Sequence, residues 1–141
     1  MSAPANELDI RPLGTLAPTP GGQEWSGGEI DTSSTLAAGL RECVAAYLAG
    51  CPVFLAWMEY TRDVIGDRFG VSGGSAIASD GVYYWRVDAV EYIREYGVAV
   101  PQDALDHFEE VSWRPPKFSR VEYLTIYKRL DSMLGGAEVV D

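Results

Sequence analysis

Ser75-Ala76-Ile77-Ala78-Ser79-Asp80-Gly81-Val82-Tyr83-Tyr84-Trp85-Arg86 is the stretch on which the fold class turns. Two runs that suit a pleated strand flank Asp80-Gly81, the dipeptide that favours a type I′ hairpin turn because both central residues need positive φ. Along the second strand Val82, Tyr84 and Arg86 face one way, Tyr83 and Trp85 the other. A sheet covered by helices on one face would leave one of those aromatic sets outward.

Upstream, Val53 to Met58 is an unbroken apolar run and reads as a third, buried strand. It follows a helix that starts at Ser34 or Thr35, either a good N-cap. Leu36, Leu40, Cys43, Val44, Tyr47, Leu48 and Cys51 form one helical stripe, which Gly50 and Pro52 end. Arg62 to Gly74 mixes charges with glycines and reads as a long loop. Downstream, Asp88 with Glu91 forms an Asp-x-x-Glu variant of the capping box, and Gly97 ends that helix. Pro101 opens a helix running to about Val111, and Pro115-Pro116 breaks the chain. Ser119-Arg120-Val121-Glu122 caps the last helix, whose core face is Tyr123, Ile126, Tyr127, Leu130, Met133 and Leu134.

The expected fold is therefore α+β, with an N-terminal helix, a three-stranded mostly antiparallel sheet with an Asp-Gly hairpin, and three C-terminal helices packed on one face. Residues 34–134 form the domain. Residues 1–33, rich in Pro and Gly, read as a flexible lead-in, with Leu13, Leu16, Trp25 and Ile30 as residues that could dock. Residues 135–141 read as a short acidic tail.

The pattern from Ser79-Asp80-Gly81 through Tyr83-Tyr84-Trp85-Arg86, Asp88, Tyr92 and Val98-Ala99-Val100-Pro101 resembles a group of small uncharacterised bacterial α+β proteins. Their common features are an Asp-Gly turn, an aromatic strand ending in Trp, an acidic cap and a Pro-led exit. The likeness spans roughly residues 40–110 and implies no catalytic residue. By class and charge, the chain is also similar to immunity proteins and other proteinaceous inhibitors.

That charge is substantial. Of the 141 residues, 21 are acidic and 11 are Lys or Arg, a formal charge of −10. No direct nucleic-acid binding is expected of a chain without cations to displace condensed counterions, nor attraction to an anionic membrane. The opening residues lack a basic and apolar leader, and no apolar run reaches the roughly 18–20 residues of a membrane span. Cys43 and Cys51, eight residues apart on one helix, would have Cα atoms about 12 Å apart, beyond the roughly 7 Å a disulfide allows. Free thiols and a cytoplasmic location are the expectation. The charge is also uneven. Residues 87–112 set Asp88, Glu91, Glu95, Asp103, Asp106, Glu109 and Glu110 against Arg94 alone, a net −6, whereas residues 113–134 carry a net +3. Asp103, Asp106 and Glu110 share one face of their helix with Glu109 beside them. Such a face is either a solvated surface, a docking surface for a basic partner, or one cancelled internally by the cationic last helix.

Catalytic patterns are sparse. His107 is the one histidine and has no Gly-x-Ser-x-Gly elbow to serve; it reads as a surface residue. Two cysteines and one histidine do not make a zinc site, and no calcium loop is present. Gly70-Val71-Ser72-Gly73-Gly74-Ser75 lacks the Lys-Ser/Thr ending of a phosphate-binding loop. No cofactor and no metal are expected. The sequence thus points to a non-enzymatic acidic protein-binding module of the immunity or inhibitor kind that occludes a basic surface of a partner protein. Tyr83 and Trp85 would supply its apolar anchor, and Asp103, Asp106, Glu109 and Glu110 its electrostatic contacts. A monomer or weak homo-oligomer is expected. Two alternatives are kept: a small ligand-binding domain or enzyme with a pocket beside the 62–74 loop, lined by Arg62, Asp63, Asp67 and Arg86; and a structural subunit that assembles through its N-terminal tail.

Overall fold

In the computed structural model of the chain, which describes residues 9–20 and 30–135, the Asp-Gly hairpin forms the middle of the main sheet. Strands β1 (Arg11–Pro12), β2 (Val53–Leu55), β3 (Tyr60–Arg62), β4 (Gly70–Ser72), β5 (Ile77–Ser79) and β6 (Tyr83–Arg86) are interleaved with helices α1 (Ala38–Ala49), α2 (Ala89–Tyr96), α3 (Gln102–Glu110) and α4 (Arg120–Leu130). A 3-10 turn over Gly14–Leu16 and a π turn over Asp131–Gly135 complete the elements. The class is α+β, but the sheet is larger than expected. It is a mixed four-stranded sheet of order β1-β6-β5-β2, beside a separate β3-β4 ribbon.

The hairpin closes differently from the type I′ expectation. Gly81 has a φ of +89°, but Asp80 does not adopt positive φ. Instead the Asp80 carboxylate folds back, its Oδ1 accepting from the backbone N–H groups of Val82 at 2.9 Å and Tyr83 at 2.8 Å. An Asp side chain does here what a left-handed backbone would otherwise do. Ser79 Oγ donates to the Tyr83 carbonyl at 2.7 Å.

Both faces of the sheet are covered, not one. On one side Ala78, Tyr83 and Trp85 pack with Val44, Tyr47 and Leu48 of α1, Tyr92 and Ile93 of α2, and Ala104 and Phe108 of α3. On the other, Ile77 and Tyr84 pack with Phe54, Leu55, Ile126 and Leu130, so α4 lies there. This corrects the one-sided packing inferred above. Tyr83, Tyr84 and Trp85 are an unbroken aromatic run, and a strand buried on both sides needs no polar face.

The N-terminal segment is the second correction. Residues 9–20 are built into the domain. Arg11–Pro12 pairs in parallel with Tyr83–Tyr84, Leu13 N–H donates to the Tyr84 carbonyl at 2.9 Å, and Ile10, Leu13, Leu16, Ala17 and Ile30 are buried. Of the residues expected to dock, Leu13, Leu16 and Ile30 do; Trp25 and residues 136–141 lie outside the described residues. The domain boundary drawn at residue 34 therefore falls too late. Two strand residues and one tight turn carry no periodicity to detect.

The expected 62–74 loop holds over residues 63–69 and 73–74, but Arg62 and Gly70–Ser72 belong to a two-stranded ribbon. Tyr60–Arg62 pairs antiparallel with Gly70–Ser72, and the bend between them is organised by buried Asp63. Its carboxylate accepts from the N–H groups of Ile65 at 2.8 Å and Arg68 at 2.8 Å, and from the Tyr96 hydroxyl. Helix termini follow the sequence unevenly. Ser119 and Glu122 make the reciprocal capping box of α4, and Gly97, with a φ of +67°, provides the left-handed C-cap of α2. Asp88, by contrast, makes no capping bond; its carboxylate is taken by Arg86 and Thr61. Helix α1 begins later than expected because Thr35 bridges Val98 in extended conformation. Cys43, placed in the core stripe above, is exposed, while Cys51 is buried; both are free. The apolar run after Pro52 forms a strand only to Leu55, and Met58 is 93 % exposed.

Candidate partner-binding cleft

Helix α3 is oriented by two side chains one turn apart. Ala104 and Phe108 are fully buried, and the Phe108 ring packs on Tyr47 of α1 with centroids 4.5 Å apart and on Tyr83 of β6 at 6.2 Å. Once that stripe is fixed inward, the 3.6-residue period turns Asp103, Asp106, Glu109 and Glu110 outward, and all four are exposed. Gln102 donates to Asp106 Oδ1 at 2.9 Å. Among the described residues, no ion pair engages any of the four.

The rest of the acidic segment is different. On α2, Arg94 pairs with Glu42 at 2.8 Å and lies 3.9 Å from Glu91, and Arg68 pairs with Glu95 at 3.1 Å. Asp88 is neutralised by Arg86 at 2.7 Å inside the protein. The net −6 counted along the sequence thus contracts to the four carboxylates of α3. The cationic helix α4, with Arg120, Lys128 and Arg129, packs on the opposite face of the sheet, so it is not placed to cancel them.

A cleft of about 520 Å³ opens beside this helix, lined by Arg11, Val82, Tyr83, Asp103, Asp106, His107 and Glu110. Glu109 stands outside its lining. Tyr83 contributes little surface, being 3 % exposed, and Trp85 is wholly buried. The pair expected as an apolar anchor is therefore core: α1, α2 and α3 cover the face on which both lie, and with Arg11 in place neither offers a partner much area. What covers the Tyr83 ring on the cleft side is Arg11, whose guanidinium carbon stands 4.9 Å from the ring centroid. Burial raises the Tyr83 hydroxyl pKa, while the Arg11 charge works against that rise.

His107 is not a plain surface residue. Its Nε2 lies 3.3 Å from Asp80 Oδ2, with the His107 side chain 23 % exposed and that of Asp80 fully buried. The Tyr47 hydroxyl donates to the same Asp80 oxygen at 2.7 Å. Burial, and then the Asp80 carboxylate, push the Tyr47 hydroxyl far above its ordinary range. Burial and the same charge push the Cys51 thiol up to about 12. An aspartate backing a histidine is the orienting half of a nucleophilic system. The hydroxyl and thiol adjoining this network are both engaged: Ser79 Oγ bonds the Tyr83 carbonyl and accepts from Gly81 N–H, and Cys51 Sγ donates to the Tyr47 carbonyl at 3.3 Å. The network ties α1, the β5–β6 turn and α3 together and fixes where the carboxylate face points.

The residues of the alternative pocket are engaged with near neighbours. Arg62 and Asp67 pair with each other at 2.6 Å in solvent. Arg86 is bidentate to Asp88, and Asp63 accepts from N–H groups of its own loop and from the Tyr96 hydroxyl of α2. Burial pushes the Asp63 carboxyl up, but the Tyr96 hydroxyl and the N–H groups of Arg68, Ile65 and Gly66 outweigh it and hold the pKa below its usual value. Among the described residues no group of three or more His, Cys, Asp or Glu is placed to hold a metal ion, and no described helix is long and apolar enough to cross a membrane.

Asp103, Asp106 and Glu110 are thus the expected site residues that the structure brings together. Arg11 and Val82 were hidden in the supposed tail and in the hairpin turn. His107 had a usable signal, since it directly precedes the buried Phe108 on an amphipathic helix. No family model matches the chain, and neither the curated proteins nor the solved structures compared with it include a match.

Proposed function

We propose that the chain is a non-enzymatic protein-binding module of the immunity or inhibitor kind, acting in the cytoplasm, whose α3 face covers a basic surface on a partner protein. The observation that carries this is the set of four exposed α3 carboxylates that form no ion pair among the described residues, on the side of the sheet away from α4. Like charges three and four residues apart on one helix destabilise it slightly, and the fold relieves them only in part, through the Gln102–Asp106 hydrogen bond and the placement of Asp103 in the first turn. A partner's Lys and Arg side chains would relieve them, and the field would raise the association rate by roughly 10- to 1,000-fold at low salt. With Tyr83 and Trp85 in the core, the contact is electrostatic and polar, centred on Asp103, Asp106 and Glu110 with Glu109 at its rim.

The test is affinity capture from the native host with the wild-type chain and with Asp103→Lys/Asp106→Lys/Glu110→Lys, at low and at physiological salt. The wild type should retain a basic protein that the triple variant loses, with retention falling as salt rises. Equal retention by both proteins at both salt concentrations removes the proposal.

A further inference from the structure

We infer that Arg11 is a built-in occupant of the α3 cleft, and that the cleft is made for a guanidinium: a partner's arginine binds there by displacing the Arg11 side chain from Tyr83. The inference rests on the proposed binding face and specifies which cation it takes.

Two independent features meet in the cleft. One is the carboxylate wall of Asp103, Asp106 and Glu110; the other is the face of an aromatic ring, with a guanidinium already lying over it at 4.9 Å. Guanidinium is planar and weakly hydrated, so it stacks on a ring while its edge N–H groups reach carboxylates; an ammonium is a compact, strongly hydrated point charge. Arg11 satisfies only the first of these conditions, for it takes part in no ion pair among the described residues. An arginine entering from outside can satisfy both.

Among the described residues, the Arg11 side chain is held at Tyr83 alone, over the ring and by the hydroxyl, and not by the contacts that anchor its backbone. The segment that carries it is anchored by backbone and by other side chains: Arg11 N–H donates to the Val82 carbonyl at 3.0 Å, Leu13 N–H donates to the Tyr84 carbonyl, and Ile10 and Leu13 are buried on either side. The Arg11 side chain itself is exposed. It can swing off the ring while β1 stays paired. Until it does, the tethered group competes with any incoming arginine.

The experiment uses the full chain and fluorescently labelled, end-capped hexa-arginine and hexa-lysine peptides, followed by anisotropy at low salt. Arg11→Ala and Arg11→Gln are compared with Lys117→Ala, which removes one exposed cation away from the cleft. Melting temperatures confirm that each variant is folded, and Arg11→Gln carries the test if the alanine variant loosens β1. Vacating an exposed cation–π contact should tighten hexa-arginine binding by about two- to fivefold relative to Lys117→Ala, with a smaller gain for hexa-lysine. Equal gains from the Arg11 and Lys117 variants, equal gains for both peptides, or weaker binding after Arg11 is removed each overturn the inference. If the wild type and the Asp103→Lys/Asp106→Lys/Glu110→Lys variant bind hexa-arginine alike, the binding face itself fails and the inference falls with it. Salt-sensitive binding that the triple variant loses but Arg11 does not modulate refutes the Arg11 role alone.

Discussion

Leu13→Ala measures whether the N-terminal segment belongs to the domain. Leu13 is 0 % and Leu16 1 % exposed, both in the cluster under α1 and β6. Truncating a fully buried leucine costs its transfer free energy plus that of the cavity left behind, about 3 kcal/mol. A domain of this size has roughly 5–15 kcal/mol in all, so the loss is a large fraction of the total. At about 3–4 °C per kcal/mol for this chain length, the melting temperature should fall by about 10 °C. Calorimetry or circular dichroism reads the shift, and Lys117→Ala, an exposed residue outside the cluster, serves as the control, with a change of about 2 °C or less. Hydrogen exchange gives an independent readout, since the Arg11 and Leu13 N–H groups are bonded to β6 and should be protected nearly as well as the hairpin. A Leu13→Ala melting temperature within about 2 °C of wild type, with unprotected amides before residue 14, would refute the packing described for β1 and restore a flexible lead-in.

Three further outcomes are expected. Tyr47→Phe should cost about 1.5–3 kcal/mol, because it deprives a buried carboxylate of its hydroxyl donor, and the double-mutant cycle with Asp80→Asn should show coupling of about 1 kcal/mol or more in urea unfolding; additive losses would mean that the two do not share a bond. The folded pKa of Asp63 is depressed, so its stabilising effect is complete above the unfolded value of about 3.9 and is lost as the pH falls through the folded value. The stability gap between wild type and Asp63→Asn should therefore be constant from neutral pH down to about 5 and close in stronger acid, and a gap that widens on acidification contradicts the assignment. With Cys43 exposed and Cys51 buried with its thiol pushed up to about 12, a thiol reagent at neutral pH should titrate one cysteine rapidly and the second only on unfolding.

The sequence reads best where local chemistry decides the outcome. Ser119 with Glu122 spells a capping box, Gly97 a helix stop, and Pro101 a helix start; each is decided within a few residues of chain. It reads poorly where a partner distant in sequence decides. Asp80 was legible as a turn residue but not as the acceptor for Tyr47 and the neighbour of His107, because α1 and α3 reach it only in the folded state. Within 62–74 the charges and glycines mark the bend around Asp63 correctly as loop, but not the short strands on either side of it or its bracing by Tyr92 and Tyr96. Arg11 sits in a Pro-rich stretch without period, yet two pairs of strand residues and the flanking Ile10 and Leu13 suffice to hold it. The aromatic run of β6 does not follow the alternation of a half-buried strand, because an unbroken apolar strand is covered on both faces. Charge was legible in amount but not in place, since Arg86, Arg68 and Arg94 cancel the α2 carboxylates while α3 keeps its own.

The unpaired α3 carboxylates are the feature on which the functional account depends, and association kinetics interrogate them most directly. The rate constant for a captured basic partner should be measured by stopped flow across ionic strength for the wild type and for Asp103→Lys/Asp106→Lys/Glu110→Lys. The account predicts a wild-type rate that falls about tenfold or more as the Debye length shrinks from about 30 Å to 8 Å, and a variant rate that is slower at low salt and flat or rising with salt. The same salt slope for both proteins would contradict it.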